Sequence, residues 1–285
     1  MDAVAGGRDA RLILGIMSGT SADAVDLALI EISGQGADRK VSSRGGAMLP
    51  LPDEVTQGIR SSAGWSLEDF ARWHHRLGFL FGEAAKGFLE NLEIPPSQIR
   101  AVGCHGQTVF HHDGDPAGGT LQAGDPAVVA AVTGISTVGD FRWSDLAAGG
   151  QGAPLSPFAD WILHRHAAAE LAILNLGGIS NLTLLKGDSP PRAWDCGPAN
   201  GPMDALARRE GLGDCDTDGT LALSGSCIPD LLEALQAHPF FAREIPRSTG
   251  LEEFGSPFLA HARELHPQAS PADLMATLVE VAAWA

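Results

Sequence analysis

Two stretches of this sequence combine small residues, hydroxyls and acids in a way that suits a phosphorylated ligand. The first, "GIMSGTSADAVDLALIEI" over residues 15–32, runs an apolar segment into a turn made of Gly19, Thr20, Ser21, Ala22, Asp23 and Ala24 and leaves through Val25 and Asp26. The second, "LAILNLGGISNLTLL" over residues 171–185, repeats the plan with Gly177, Gly178, Ser180 and Asn181. A turn of glycine and serine leaves successive backbone N–H groups unshielded, and these form a concavity for phosphate oxygens. Thr20, Ser21 and Ser180 add hydroxyl donors. Taken singly, such a hairpin is commonly no more than a tight turn. Its return in the second half raises the phosphate reading, with polyphosphate gripped from two sides.

The chain reaches phosphate without the common lysine. It contains no GxxxxGK[ST], its lysines are Lys40, Lys86 and Lys186, and no GxGxxG follows an apolar strand. Both the P-loop and the dinucleotide fingerprint are therefore excluded. Charge on a nucleotide then has to be met by a metal. Asp23 and Asp26 beside the first turn and Asp195 in "WDCGPAN" are hard oxygen donors of the kind Mg²⁺ takes.

The densest chemistry lies at the centre. "GDFRWSDLAAGGQGAPLSP", residues 139–157, sets Asp140, Arg142 and Asp145 at the end of an expected strand, ahead of a glycine-rich loop. A carboxylate placed there can take a proton from water or a hydroxyl, and Arg142 can steady a transferring phosphoryl group. The bland alternative is a structural ion pair between Asp140 and Arg142. In "GCHGQTVFHH" a period of two puts His105, Gln107 and His111 on one face. No further His or Cys spacing supports a metal there, so contact with a sugar or ribose is the better use.

These groups need elements to hold them. Residues 11–32 read as a hairpin, residues 66–92 as a long amphipathic helix with Ser66 and Asp69 as a capping box, and "IRAVGCHGQTVFHH" as a strand. "DPAVVAAVTGISTVGDF" reads as a helix followed by a strand, and residues 158–170 as a helix that could join two halves. The last segment, "SPADLMATLVEVAAWA", has Ser270 as N-cap, Pro271 at the first helical position and Leu274, Leu278 and Val281 as an apolar stripe. All six tryptophans, Trp143 and Trp161 among them, are expected in the core.

A mixed α/β protein follows, with domains over 1–165 and 166–285. The formal net charge of -16 argues against nucleic acid and anionic membranes as partners. There is no apolar stretch near ~20 residues and no signal-peptide pattern at the start, so a cytoplasmic protein is expected. The four cysteines form no CxxC pair and read as free thiols.

In order along the chain, "GIMSGTSADAVD", "GCHGQTVFHH", "LQAGDPAVVA", "GDFRWSDLAAGGQGAPLSP", "LNLGGISNLT" and "DCGPANGPMD" resemble the motif set of anhydro-N-acetylmuramic acid kinases. That family belongs to the sugar kinase, Hsp70 and actin superfamily. The resemblance implies two related actin-like, ribonuclease H-like halves around a nucleotide cleft. It also implies ATP and Mg²⁺ as cofactors and a small amino sugar as substrate, with water opening the 1,6-anhydro bond while the released oxygen takes the phosphoryl group. Carried onto this chain, Gly19 to Asp26 match the ATP phosphate segment, Gly177, Gly178, Ser180 and Asn181 match the second phosphate turn, and Asp140 matches the general base. His105, Gln107, Arg142 and Asp145 fall to the sugar, Asp23 and Asp195 to the metal, and a homodimer is among the partners implied.

Two departures stand out. The family usually has glycine where this chain has Ala24, and family members continue past the helix on which this chain stops. The second departure leads to the expectation of an incomplete second half and of little or no kinase activity in the chain as it stands. A non-catalytic nucleotide- or sugar-binding remnant is the competing reading. A nucleotide-free hydrolase using Asp140 and Asp145 is a third.

Overall fold

The computed structural model describes residues 10–19, 22–36, 39–111 and 119–285. The protein is mixed α/β and divides into two compact units between Leu155 and Ser156. This division lies ten residues ahead of the expected 165/166 boundary. The helix expected to join the halves packs instead on the second unit's sheet.

The first unit opens with an antiparallel meander of β1 (Arg11–Ser18), β2 (Ala24–Ser33) and β3 (Lys40–Pro50). Helices α1 (Asp53–Arg60) and α2 (Leu67–Asn91) then carry the chain back so that β4 (Ile99–His111) joins β1 in parallel. Beyond β4 the edge is shared, because β5 (Thr120–Ala123) pairs antiparallel with its far end. After α3 (Pro126–Thr133), β6 (Thr137–Val138) pairs in parallel with its middle. The sheet order is β3-β2-β1-β4-β5, with β6 on β4. The unit closes with the short α4 (Phe141–Ala147).

The expected capping box forms: Ser66 Oγ accepts from the Asp69 amide and Asp69 Oδ2 accepts from the Ser66 amide, an arrangement that adds about 1 kcal/mol to the helix start. From there α2 lays Leu77, Phe81, Ala85 and Leu89 onto Leu14, Ile16, Leu27 and Leu29 of the sheet, all buried. Two glycines set its depth. At Gly78 a methyl group would lie 2.8 Å from the Asp125 carbonyl oxygen, and at Gly82 it would lie 2.7 Å from Val132 Cβ. Room at Gly78 lets the Asp125 amide donate to the His74 carbonyl at 3.0 Å, while Gly124 donates its amide to His74 Nδ1 at 3.1 Å.

The second unit begins with α5 (Ser156–His164), which ends well short of residue 170 and donates Trp161 Nε1–H to the Gly187 carbonyl. Its sheet is the antiparallel meander β7 (Leu171–Leu176), β8 (Ile179–Leu185) and β9 (Arg192–Pro198). Six helices follow: α6 (Asn200–Arg209), α7 (Thr220–Ser224), α8 (Pro229–Gln236), α9 (Leu251–Phe254), α10 (Ser256–Leu265) and α11 (Pro271–Trp284). Their core joins Leu206, Leu231, Leu235, Phe254, Phe258, Leu274 and Leu278. Helix α11 starts as expected, with Ser270 Oγ accepting from the Asp273 amide and with Leu274, Leu278 and Val281 buried. Among the described residues β7 pairs with β8 alone, and Leu174 and Leu176 are 55% and 58% exposed, whereas Leu14 and Ile16 of β1 are 0% and 3% exposed.

The tryptophans depart from expectation. Trp143 and Trp284 are about half exposed, at 46% and 51%, because Trp143 sits on a short surface helix and Trp284 on the last turn of α11. The four cysteines are free thiols. No described helix is long and apolar enough to cross a membrane.

The glycines of α2 generate a paired prediction. Gly78→Ala should destabilise the first unit by ~1–3 kcal/mol, since the clash is with backbone rather than a yielding side-chain tip. Gly87→Ala, with open space around the added methyl, should stabilise it by ~0.5–1 kcal/mol. Urea midpoints of the two variants moving in the same direction would contradict this packing.

Candidate active site

In the first unit the chemistry gathers at one end of the sheet, on the face opposite α2. The parallel register pairs Leu14 with Val102 and Ile16 with Cys104 on the helix-covered face. His105 therefore points to the other face. So does Asp26, which pairs with Met17 across β1 and β2. Gly106 then breaks the alternation: at φ +73° it inserts one extra residue, and a methyl there would lie 2.8 Å from the Ala123 carbonyl oxygen. Gln107 consequently falls opposite Ser18 and Ala123 on the core side, and Thr108 returns to the His105 face. A second irregularity before Phe110 keeps His111 there as well. The expectation that His105, Gln107 and His111 share a face is thus corrected. The two histidines do, and Gln107 does not.

Asp140 stands just past β6 in the left-handed region, at φ 56° and ψ 35°, a conformation aspartate tolerates better than most residues. Its side chain is exposed, and its charge reaches the buried Cys104 thiol. Burial pushes that thiol up to about 11, a backbone hydrogen bond at Gly106 opposing the rise and the Asp140 charge adding a smaller push. The sequence reading put Arg142 and Asp145 at a strand end. They lie instead on α4, whose seven residues follow the Asp140 bend without a side-chain cap. Their separation of three turns both towards the glycine-rich loop. Arg142 donates from Nη1 to the Gly152 carbonyl at 2.7 Å, and Asp145 Oδ2 accepts from the Gly152 amide at 2.7 Å. Gly152 itself is left-handed at φ +71°.

Arg142 also donates from Nε to His105 Nε2 at 3.1 Å, and His105 Nδ1 lies 2.9 Å from the Gly106 carbonyl oxygen. The two partners fix the tautomer: Nδ1 carries the proton and Nε2 accepts. Burial and then the Arg142 charge hold the imidazole below its ordinary pKa, so it is neutral at physiological pH. Arg142 is itself lowered by burial. Its bonds go to His105 and Gly152 and not to Asp140, so the structural ion pair weighed from sequence does not form. Gln107, 2% exposed, donates Nε2–H to the Thr108 carbonyl and leaves Oε1 buried without a partner among the described residues.

At the first turn Gly19 accepts from the Ala22 amide at 3.0 Å, Ser18 Oγ donates to the Ala24 carbonyl, and the Asp23 carbonyl accepts from the Leu51 amide. Thr20 and Ser21 lie outside the described residues. Ala22 takes the left-handed conformation, φ 54°, and is buried. Ala24 and Val25 already belong to β2, with Ala24 in ordinary backbone, so a methyl where the family usually has glycine costs the turn nothing. Asp23 is exposed beside it.

The second turn is built differently. The Gly177 carbonyl accepts from the Asn200 amide and the Gly178 carbonyl from the Ala199 and Gly201 amides, which ties the turn to the start of α6. A methyl at Gly178 would lie 2.9 Å from Leu251 Cδ2, so this glycine serves close packing. Ser180 is buried and donates to the Gly197 carbonyl. Asn181 pairs with Asp195 across β8 and β9. Asp195 Oδ2 accepts from the Thr249 amide at 2.8 Å, and Arg247 reaches the Asp195 and Cys196 carbonyls from Nε and Nη2. Arg247 also donates to the Phe240 and Phe241 carbonyls and lies over the Phe240 ring. The segment "PRSTG", residues 246–250, was not singled out from sequence. Its basic residue followed by Ser, Thr and Gly was the available signal.

For a metal, Asp23 offers an exposed carboxylate beside the first turn and Asp195 a carboxylate with one oxygen already engaged, and the two belong to different units. No cluster of three or more His, Cys, Asp or Glu among the described residues could hold a metal by itself. One or two carboxylates completed by phosphate oxygens and water is the manner in which Mg²⁺ is commonly bound, and the donors present fit it.

The sequence profile of anhydro-N-acetylmuramic acid kinases matches residues 11–285. The anhydro-N-acetylmuramic acid kinase of Pseudomonas putida is 42% identical over 276 residues, covering 95% of this chain and 74% of the relative. That of Aliivibrio fischeri is 40% identical over 270 residues, covering 94% and 72%. A crystal structure of the Aquifex aeolicus member of the Ppx/GppA family is a distant likeness, with TM-score 0.38 and 10% identity over 96% of this chain and 89% of that one. By class the protein is a carbohydrate kinase. The chain belongs to the anhydro-N-acetylmuramic acid kinase family and spans about three quarters of the length of these relatives.

The neutral His105 has a measurable consequence. Its folded pKa lies below 6.5, so the unfolded chain takes up that proton first as pH falls. Stability should therefore drop as pH falls below 6.5 towards the folded value. The decline in urea midpoint between pH 7.5 and 5.5 should be smaller in His105→Gln than in the parent. Equal declines would show that His105 is not held neutral.

Proposed function

We propose that the protein uses ATP to convert 1,6-anhydro-N-acetylmuramic acid to N-acetylmuramic acid 6-phosphate, a step in the recycling of cell-wall sugar. The observation that carries this reading is Asp140: an exposed carboxylate in a left-handed bend at the end of β6, followed at once by a helix whose Arg142 is fixed by His105 and Gly152.

In the reaction Asp140 accepts a proton from water. The oxygen of that water bonds to C1 of the sugar, the C1–O6 bond breaks, and O6 takes the terminal phosphoryl group of ATP, leaving ADP. One carboxylate suffices because phosphoryl transfer is governed by position and charge rather than by covalent chemistry from the protein. Arg142, anchored at two points, can present its remaining guanidinium surface to developing negative charge without reorganising. The neutral His105 adds no second positive charge beside it. The backbone of residues 19–26 and of the Gly177–Gly178 turn are the phosphate-facing segments in this reading, with Asn181 beside the latter. Bound Mg²⁺ would neutralise phosphate charge, and each unit by itself offers one carboxylate for it to use beside phosphate oxygens and water, Asp23 in the first and Asp195 in the second. His105 and Arg142 are the sugar side, with Asp145 acting through the Gly152 loop that it holds, whereas Gln107, expected there from sequence, faces the core.

The test is sugar-dependent formation of ADP. Asp140→Asn keeps the shape but cannot take the proton, so turnover should fall by ~100-fold or more while ATP affinity measured by calorimetry stays within about twofold of the parent. Turnover within a few-fold of the parent would remove Asp140 as the base. A parent that forms no ADP in response to the sugar would overturn the function itself and favour a non-catalytic binding protein.

A further inference from the structure

We infer that Gln122 is a sugar-recognition residue of the first unit's site, its side-chain carbonyl accepting a hydrogen bond from an N–H or O–H of the bound amino sugar. This rests on the function proposed above and adds a residue and a contact to it.

The β4–β5 register sets Gln122 opposite Thr108 and Thr120 opposite His111, on the face that carries His105 and away from α2. Gln122 is 7% exposed and forms a floor between the half-buried Thr108 and His111. Its amide is oriented by its neighbours. Nε2 donates to Thr120 Oγ1 at 2.7 Å and lies 3.4 Å from Thr108 Oγ1. The Thr120 hydroxyl hydrogen is in turn directed to the Phe110 carbonyl at 3.3 Å. The NH₂ group is thus held towards the threonines and the carbonyl away from them, and Oε1 is left buried without a partner among the described residues.

An amide carbonyl buried without a donor is costly, typically ~1–3 kcal/mol, and most native carbonyls avoid that state. A packed hairpin could remove the cost with Leu or Met at this position. Retaining glutamine, with its amide clamped in one orientation, is what a site needs when the missing donor arrives with a ligand. An acceptor that cannot turn also discriminates, because a sugar offering a lone pair there leaves both groups unsatisfied.

The experiment titrates 1,6-anhydro-N-acetylmuramic acid into the 285-residue chain and into Gln122→Met by calorimetry, with ATP titrated separately and melting temperatures taken without ligand. Met keeps the bulk and removes the orphan, so the free variant should melt at the parent's temperature or above it. Sugar affinity should fall at least tenfold, and ATP affinity should change less than twofold. Gln122→Asn, which keeps an amide but withdraws it by one methylene, should lose affinity as well and guards against a Met variant that fails to fold. A second sugar, the 2-deoxy analogue that keeps the 1,6-anhydro bond and the 3-O-lactyl ether but lacks the acetamido group, identifies the donor: a parent-to-variant ratio that collapses towards one assigns the contact to the acetamido N–H, and a ratio that persists assigns it to a hydroxyl. Unchanged affinity for the muramic sugar in both variants, or a lowered melting temperature with affinity intact, would overturn the inference alone. A parent that binds neither sugar would overturn it together with the proposed function.

Discussion

Parallel pairing of β4 against β1 is the constraint on which the first unit depends. Two adjacent strands in sequence can meet antiparallel through a short turn, but a parallel join needs a crossover long enough to return to the starting end. Here α1 and α2 provide it, and the depth to which α2 can sink is set by Gly78 and Gly82. Once the strands run together, β1, β4 and β6 all finish at the same end of the sheet. β1 is followed there by the turn in which Gly19 accepts from the Ala22 amide and β6 by the Asp140 bend, while β4 is interrupted by the Gly106 bulge. In open α/β sheets the carboxyl ends of parallel strands are where ligands bind, since backbone groups released from the ladder are free to meet them.

The second unit uses another device. Its turn after β7 is fixed from behind by amides at the start of α6, Leu251 packs against Gly178 and Gly201, and at Gly201 a methyl would also lie 2.9 Å from the Gly178 carbonyl oxygen, so a side chain there meets backbone. Arg247 spreads its donors over five carbonyls on two segments, and the Thr249 amide holds Asp195. A guanidinium whose hydrogen bonds go to backbone acceptors works as a half-buried strut and is poorly replaced by lysine, whose point charge cannot span the same fork.

What could be read from sequence followed the range of the interaction that decides it. Both hairpins, α2 with its Ser66 box and α11 with its Ser270 cap were visible because their determinants lie within a few residues. The face carrying Gln107 was not, because the Gly106 bulge answers to the Ala123 carbonyl on another strand. Helix α4 escaped notice for lack of a capping side chain, and its Arg142 and Asp145 were placed at a strand end as a result. Arg247 was missed for the same reason as the bulge, since its acceptors at 195 and 196 are about fifty residues away in the chain. Asp140 could be singled out as an acid in an unusual neighbourhood, but not the left-handed bend that exposes it.

Cys104 lies on β4 next to the strand that delivers Asp140, buried and with its thiol pushed up to about 11, whereas Cys215 is exposed. In neutral solution an alkylating reagent therefore meets a surface thiol at Cys215 and finds Cys104 both shielded and protonated. Modification of Cys104 has to wait for the strands to part, so its rate reports the free energy of that opening rather than the chemistry of the thiol. The molecule carries, beneath its proposed base, a built-in clock for how often the floor of the site comes apart. Anything that tightens that floor on binding will slow the clock without touching sulfur.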